Sequence, residues 1–209
     1  MADNRITVIG CGPGASACVT PEARAACAGA DVLVGAARAL ELFPECAGRR
    51  IVMHGDSRAV LEAVAALDPG LRVAVLVTGD PGIASLGTLA IRRFGRGVCR
   101  VVPGISSAQV AFARLGLNWT GARILSAHHT RPDAPGAGEK VMAVLAGGKE
   151  SFGWIADLLE KCGAGYAAIV CEDLTLPSER VSRVNLGQLR RGGFSHRTVV
   201  VIAKEELIA

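Results

Sequence analysis

Aromatic residues are scarce in this 209-residue chain, at 4%. Stacking the bases of a nucleic-acid strand takes exposed aromatics on a basic surface, so the scarcity counts against RNA or DNA as a partner. Lysine is scarce as well. Nearly all of the 23 basic residues are Arg, whose planar fork suits carboxylates and phosphates, although a base-composition bias would give the same excess. The net charge of +4 is spread along the chain and fits an acidic small molecule better than a basic one. No apolar run reaches the roughly 18 residues of a membrane span. The first strand begins at Ile6, which leaves no room for a signal peptide. The expectation is a cytoplasmic protein without membrane contact.

Several catalytic patterns are missing too. The seven cysteines, at 11, 18, 27, 46, 99, 162 and 171, contain no C-x-x-C pair and no zinc-ligand spacing with His, and their odd number argues against a disulfide framework. They read as small buried apolar residues with reduced thiols, and no metal is expected. No lysine follows a glycine loop as in a triphosphate-binding turn, and no G-x-S-x-G elbow presents a serine nucleophile. Repeats and low-complexity tracts are absent from the sequence.

What is present is an alternation of strands and helices. Half of the residues are apolar, enough for a good core. Ile6 to Ile9, Val32 to Val34, Ile51 to Met53, Val73 to Val77 and Arg100 to Val102 read as strands, separated by helical stripes such as Val60, Leu61, Val64 and Leu67. Arg58 and Glu62 read as a solvent-side pair on that helix. Alternation of this kind predicts a mostly parallel sheet covered on both faces. A break at Asn118-Trp119-Thr120-Gly121 divides the chain into an N-terminal α/β domain, 1–118, and a C-terminal α/β domain, 122–209. The second half has strands at Arg123 to Ala127, Val141 to Leu145, Ala167 to Val170 and Thr198 to Ala203. Its Arg180 to Val184 alternates like a half-exposed antiparallel strand, so a mixed sheet is expected.

The stretch from Arg72 to Gln109 organises the rest. Val73 to Val77 runs into Thr78-Gly79-Asp80-Pro81-Gly82, and Arg100 to Val102 runs into Pro103-Gly104-Ile105-Ser106-Ser107. Glycine lets backbone amides approach a ligand, proline fixes the turn, and Ser106 or Ser107 serves as a helix cap. The first strand ends likewise in Gly10-Cys11-Gly12-Pro13-Gly14-Ala15. Read loosely, that is a dinucleotide-binding turn. However, the best helix start comes later, at Thr20-Pro21-Glu22, and no acid stands at the end of the second strand to bind a ribose, which disfavours a nucleotide-binding oxidoreductase. Open α/β sheets hold ligands outside the carboxyl ends of their strands, so a ligand held mainly by backbone is implied. Asp80 is either a proton-moving carboxylate or a turn acid that accepts backbone amides. His54, at a strand end, is a further candidate, with a plain loop histidine as its alternative.

Taken together, the Gly10-to-Gly14 turn with Thr20 beyond it, the Gly79-Asp80-Pro81 loop with Gly87 after it, and Pro103 to Ser107 resemble the tetrapyrrole methyltransferase family. Within it, Val101 to Trp119 and Ser126 to Arg131 look most like the branch that methylates C5 of a late corrin precursor in cobalamin synthesis. The resemblance implies a two-domain α/β fold with the S-adenosylmethionine site between the halves. Pro13, Thr78, Gly79, Asp80, Ile83, Ser106 and Ser107 match its cofactor loops, and Leu145 and Ala146 match the segment along the adenosine. Methylating a ring carbon also requires a proton to leave, for which Asp80 is the carboxylate best placed by sequence, with His54 and His128 behind it. His54, His128 and Arg131 are the candidates for contact with the substrate and its carboxylates. A homodimer is implied as well, together with a separate decarboxylating partner that methylates C15. The rivals are a sibling that methylates another tetrapyrrole position or ribosomal RNA, a nucleotide-binding oxidoreductase, and a non-catalytic cofactor binder.

Overall fold

The computed structural model describes residues 4–53, 57–83, 86–127, 139–147 and 149–208. The chain divides into two compact units, 1–106 and 107–209.

The first unit is built on valine-rich runs too short and too apolar for anything but buried strands. Strands β1 (Ile6–Gly10), β2 (Val32–Gly35), β3 (Arg49–Val52), β4 (Val73–Val77) and β5 (Cys99–Val102) form one sheet in the order β3-β2-β4-β1-β5. Every pairing in it is parallel, and β1 and β4 run in register from Ile6↔Val73 to Gly10↔Val77. Side chains alternate across a strand, so each face is a separate core. On one face α3 (Ser57–Ala65) and α4 (Leu86–Phe94) bring Val60, Leu61, Val64, Leu86 and Ala90 onto Val8, Val34, Val75 and Val77. On the other, α1 (Pro21–Ala28) and α2 (Ala37–Leu40) bring Ala23, Cys27, Ala39, Leu40 and the following Phe43 onto Ile9, Leu33 and Leu76. A fully buried side chain of this size contributes about 1.5–3 kcal/mol.

Local chemistry sets the helix ends. The Thr20 hydroxyl accepts from the Ala23 amide at 3.1 Å, with Pro21 at the first helical position, as the sequence predicts. The Arg5 guanidinium donates to the carbonyls of Leu67 (2.7 Å) and Asp68 (3.2 Å) after α3. Arg50 does the same at the end of α2, donating to Leu40 (2.9 Å) and Phe43 (2.7 Å). Glu62, expected to face Arg58 on its own helix, meets Arg93 of α4 at 3.3 Å, because α3 and α4 lie side by side on one face. Helix α2 has no counterpart in the sequence reading. A four-residue helix is too short to establish a period.

The second unit is the expected mixed sheet. Strands β6 (Arg123–Ala127), β7 (Val141–Ala146), β8 (Tyr166–Glu172), β9 (Arg180–Val184) and β10 (Thr198–Lys204) lie in the order β6-β7-β10-β8-β9. Only β6 and β7 pair in parallel. Helices α6 (Lys149–Cys162) and α7 (Leu186–Arg191) cover one face with Phe152, Ile155, Leu158 and Leu189, and α7 is closed by a capping box between Asn185 and Gln188. Helix α5 (Ser107–Leu115) packs on β7 and β10. That packing draws α5 into the second unit, so the division falls between Ser106 and Ser107, ahead of the expected break at 118–122.

All seven cysteines are free. Burial pushes the Cys11 and Cys171 thiols up to about 12, and raises those of Cys27 and Cys99 as well, so these side chains behave as small apolar groups and not as nucleophiles. No helix among the described residues is long and apolar enough to cross a membrane.

Candidate active site

The strand order reverses between β4 and β1. The chain leaves β1 toward α1 on one face and leaves β4 toward α4 on the other, and such a point opens a crevice at the carboxyl ends of the strands. Three loops meet there, after β1, β4 and β5. Gly12 and Gly79 form a short antiparallel bridge, the Gly79 amide donating to the Gly12 carbonyl at 2.8 Å. Both have positive φ, +76° and +72°, a conformation that glycine adopts at no steric cost. The loop after β5 lies hard against the other two. A Cβ on Gly104 would fall 2.3 Å from the Gly79 carbonyl oxygen and 2.7 Å from the Gly10 carbonyl carbon.

Asp80 fastens these loops. Its Oδ1 accepts from the Gly82 amide at 2.7 Å, closing its own turn, and its Oδ2 accepts from the Gly104 amide at 3.1 Å, tying the β4 loop to the β5 loop. The Ile83 amide donates to the Asp80 carbonyl at 3.2 Å. Both carboxylate oxygens are therefore engaged by backbone, which is the geometry of the turn acid. Thr78 is exposed beside this turn, and the Arg38 guanidinium of α2 donates to its hydroxyl at 3.4 Å. Pro13 is buried in the first loop, Ile83 is half-buried, and Ser106 is buried at 9% exposure behind Gly79. The six first-unit cofactor candidates thus gather at one end of one sheet. Arg38, which joins them there, carries no local sequence pattern; its only sequence cue is that it follows shortly after Gly35.

Ser107 opens α5 and is half-buried. Leu145 and Ala146 end β7 with buried side chains, Ala146 within the core under α6, so only their backbone is suited to meeting a ligand. Ala146 and Glu172 both pair with Thr198, which puts the loops after β7 and β8 at the same end of the second sheet. The loop after β8 holds a charged network that the sequence reading missed. Glu172, only 4% exposed, accepts from Arg180 and from the Ser195 amide. Asp173 accepts from Arg197 Nε and Ser195 Oγ, both at 2.8 Å, and these partners hold its carboxyl below the usual range. Glu179 accepts from Arg114 Nε at 2.5 Å and from the Thr175 amide at 2.6 Å, and its pKa is lowered by those contacts. Thr175 has φ +73°, a strained conformation for a β-branched residue that this network maintains. His54, His128 and Arg131 lie outside the described residues.

The fold and these loops define a class: an α/β protein whose glycine- and proline-rich loops meet at the carboxyl ends of a parallel sheet, with no serine elbow and no phosphate-loop lysine in its sequence. The particular family follows from comparison. The sequence profile of the tetrapyrrole (corrin/porphyrin) methylases matches residues 5–190, and the chain belongs to that family. It is therefore an enzyme of the methyltransferase class. It is 32% identical over 179 residues to cobalt-precorrin-7 C(5)-methyltransferase of Salmonella typhimurium, covering 84% of this chain and 88% of that one. It is 33% identical over 192 residues to the decarboxylating precorrin-6Y C(5,15)-methyltransferase of a Sinorhizobium species, covering 85% of this chain but 44% of that longer protein. In structure it is similar to uroporphyrin-III C-methyltransferase of Thermus thermophilus, solved with S-adenosylhomocysteine. The TM-score is 0.76 at 22% identity, covering 95% of this chain and 97% of the other. The oxidoreductase alternative is thereby discarded.

Proposed function

We propose that this protein transfers a methyl group from S-adenosylmethionine to C5 of a late corrin precursor in cobalamin biosynthesis. The observation that carries the reading is the junction of the three backbone loops at the switch point, in a chain one-third identical to a C5-methyltransferase over most of its length. The residues present fit the cofactor. Gly10, Gly12, Gly79 and Gly104 bring three backbones within contact distance, leaving amides, carbonyls and the Thr78 hydroxyl to line the crevice. Pro13, Thr78, Gly79, Asp80, Ile83 and Ser106 would hold it at these loops, and Ser107, Leu145 and Ala146 remain further candidates for it.

When bound, the cofactor supplies an already activated sulfonium methyl, so the protein's task is to orient the acceptor carbon in line and exclude water. The loop after β4 does the orienting in this scheme, with Asp80 holding it through two backbone amides. His128 is then the candidate for the proton that leaves the ring carbon, and His54, His128 and Arg131 for the acceptor's carboxylates, which an arginine fork binds bidentately. A homodimer completes the proposal. So does a separate C15-methylating, decarboxylating partner, in line with the longer Sinorhizobium relative, whose name covers both positions.

The test is incubation with methyl-labelled S-adenosylmethionine and, in separate reactions, uroporphyrinogen or each late corrin precursor, with and without the decarboxylating enzyme, followed by mass analysis. A gain of one methyl on a C5-unmethylated precursor is expected. No gain on any such precursor would remove the C5 assignment. Label transfer to uroporphyrinogen alone would replace it with another ring position.

A further inference from the structure

The ligand loop after β1 begins with the bridge of Gly12 to Gly79 and runs through a three-residue 3-10 helix, Ser16–Cys18, before Thr20 opens α1. The bridge and the short helix touch. A Cβ on Gly12 would fall 2.8 Å from the Cys18 carbonyl oxygen and 3.1 Å from Cys18 Cβ, so where the short helix lies sets where the loop beside it lies. None of its three residues is buried, and its own packing fixes it little. Arg24 of α1 reaches across to it. Arg24 Nη2 donates to the Ser16 hydroxyl at 2.7 Å and to the Ser16 carbonyl at 3.0 Å. Nη1 serves the segment after α2, donating to Glu45 at 3.0 Å and to the Leu42 carbonyl at 3.3 Å. The guanidinium carbon stands 6.0 Å from the centre of the ring of Phe43, which is fully buried in the core. One side chain thereby ties the ligand loop to a segment that the core anchors.

We propose that Arg24 is a positioning residue for the ligand loop after β1: by holding Ser16 against the segment after α2, it keeps the backbone from Gly12 to Gly14 in the shape that receives the cofactor. The proposal rests on the methyltransferase reading for the identity of that ligand. The planar fork suits the task, because its two terminal nitrogens donate in two directions from one rigid group. The ion pair with Glu45 is exposed, its side chains 35% and 49% accessible, and adds little to stability. The contacts to Ser16 act on geometry. A shift of about 1 Å is enough to lose a precise alignment, and a ligand held by backbone amides depends on one.

Wild type, Arg24→Met, Ser16→Ala, their double variant and Val64→Ala are titrated calorimetrically with S-adenosylhomocysteine, and the melting temperature of each is measured. Methionine keeps an apolar stem beside Phe43 and removes every donor. Arg24→Met should weaken S-adenosylhomocysteine binding about ten-fold, and Ser16→Ala, which keeps the carbonyl contact, about three-fold. The double variant should bind no more weakly than Arg24→Met alone, because both changes act through one contact. Val64→Ala, in the core on the other face of the sheet, should lower melting at least as much as Arg24→Met and leave affinity unchanged. A loss of affinity in Arg24→Met no greater than in Val64→Ala, or losses that add in the double variant, overturns the proposal. Should wild type bind no S-adenosylhomocysteine, the methyltransferase reading fails, and the clamp is judged without ligand by hydrogen exchange at the Cys18 and Val19 amides, which donate to Ala15 and Ser16. Faster exchange there in Arg24→Met than in Val64→Ala sustains it, and exchange no faster refutes it.

Discussion

Replacing Asp80 by Asn separates the two roles that a carboxylate in this loop can have. In the structure its oxygens accept from the Gly82 and Gly104 amides at 2.7 and 3.1 Å, so it joins the loops after β4 and β5. Asparagine keeps one acceptor, which satisfies one amide, but turns an NH2 group toward the other. A hydrogen bond to a charged acceptor contributes about 1.5–3 kcal/mol, and because Asp80 is only half-buried the lower end applies. The substitution should therefore cost about 2 kcal/mol of stability. In a chain of this size that corresponds to a melting temperature lower by roughly 4–8 °C. The loosened loop should also bind S-adenosylhomocysteine about ten-fold more weakly, or about 1.4 kcal/mol. Thermal denaturation and calorimetry read both quantities. A group that moves the proton behaves differently: its loss lowers turnover by about 10²–10⁴-fold and leaves folding and cofactor affinity alone. Asp80→Asn with unchanged melting and affinity but collapsed turnover would refute the fastening role.

Gly104→Ala should be far more damaging than its one methyl group suggests, about 3 kcal/mol or more, since the new Cβ meets backbone of both Gly10 and Gly79. Gly97→Ala, where no atom lies within 4 Å, is the control and should shift melting by no more than a degree or two. Glu179→Ala removes the acceptor of both Arg114 and the strained Thr175 amide, and urea denaturation should register a loss of about 2 kcal/mol. The folded-state pKa values of Asp173 and Glu179 are depressed, so the stability they contribute is present above their unfolded values of about 3.9 and 4.3 and is lost as pH falls through the lower folded values. Between pH 5 and 2, wild-type melting should fall more steeply than that of an Asp173→Asn, Glu179→Gln variant; parallel curves would assign the acid sensitivity elsewhere.

The elements that the sequence disclosed are those whose cause is local. Thr20-Pro21 caps α1 because a hydroxyl followed by a fixed φ is a helix start in any context, and Arg180 to Val184 pairs as an antiparallel strand because its alternation leaves one face apolar. Valine runs gave the parallel core for the same reason. Elements with a distant cause were not legible. Helix α2 exists because Arg50 closes its carbonyls and Leu33 and Leu76 receive its apolar side. The contact of Glu62 with Arg93 crosses from α3 to α4, and nothing in the sequence around either residue announces it. The network around Asp173 joins the loop after β8 to the loop before β10, and neither signals the other in sequence.

The candidate site follows the same division, and that explains which of its residues were found. A ligand held by backbone writes itself into the sequence as the residues that let backbones meet, so Gly12, Gly79 and Gly104 with their prolines stood out. Side chains at such a site are harder to assign, because residue type alone does not tell a group that faces a ligand from one that fastens the loop. Asp80 has the chemistry of a base, yet one amide of its own turn and one of the loop after β5 occupy it. Arg38 lies in a stretch of alanines and leucines with no pattern around it, yet the absence of a side chain at Gly35 brings it over Thr78. At this site, then, glycine does more than bend the chain. By removing bulk where β2, β4, β1 and β5 end, it decides which polar side chains reach the rim and which are held inside it.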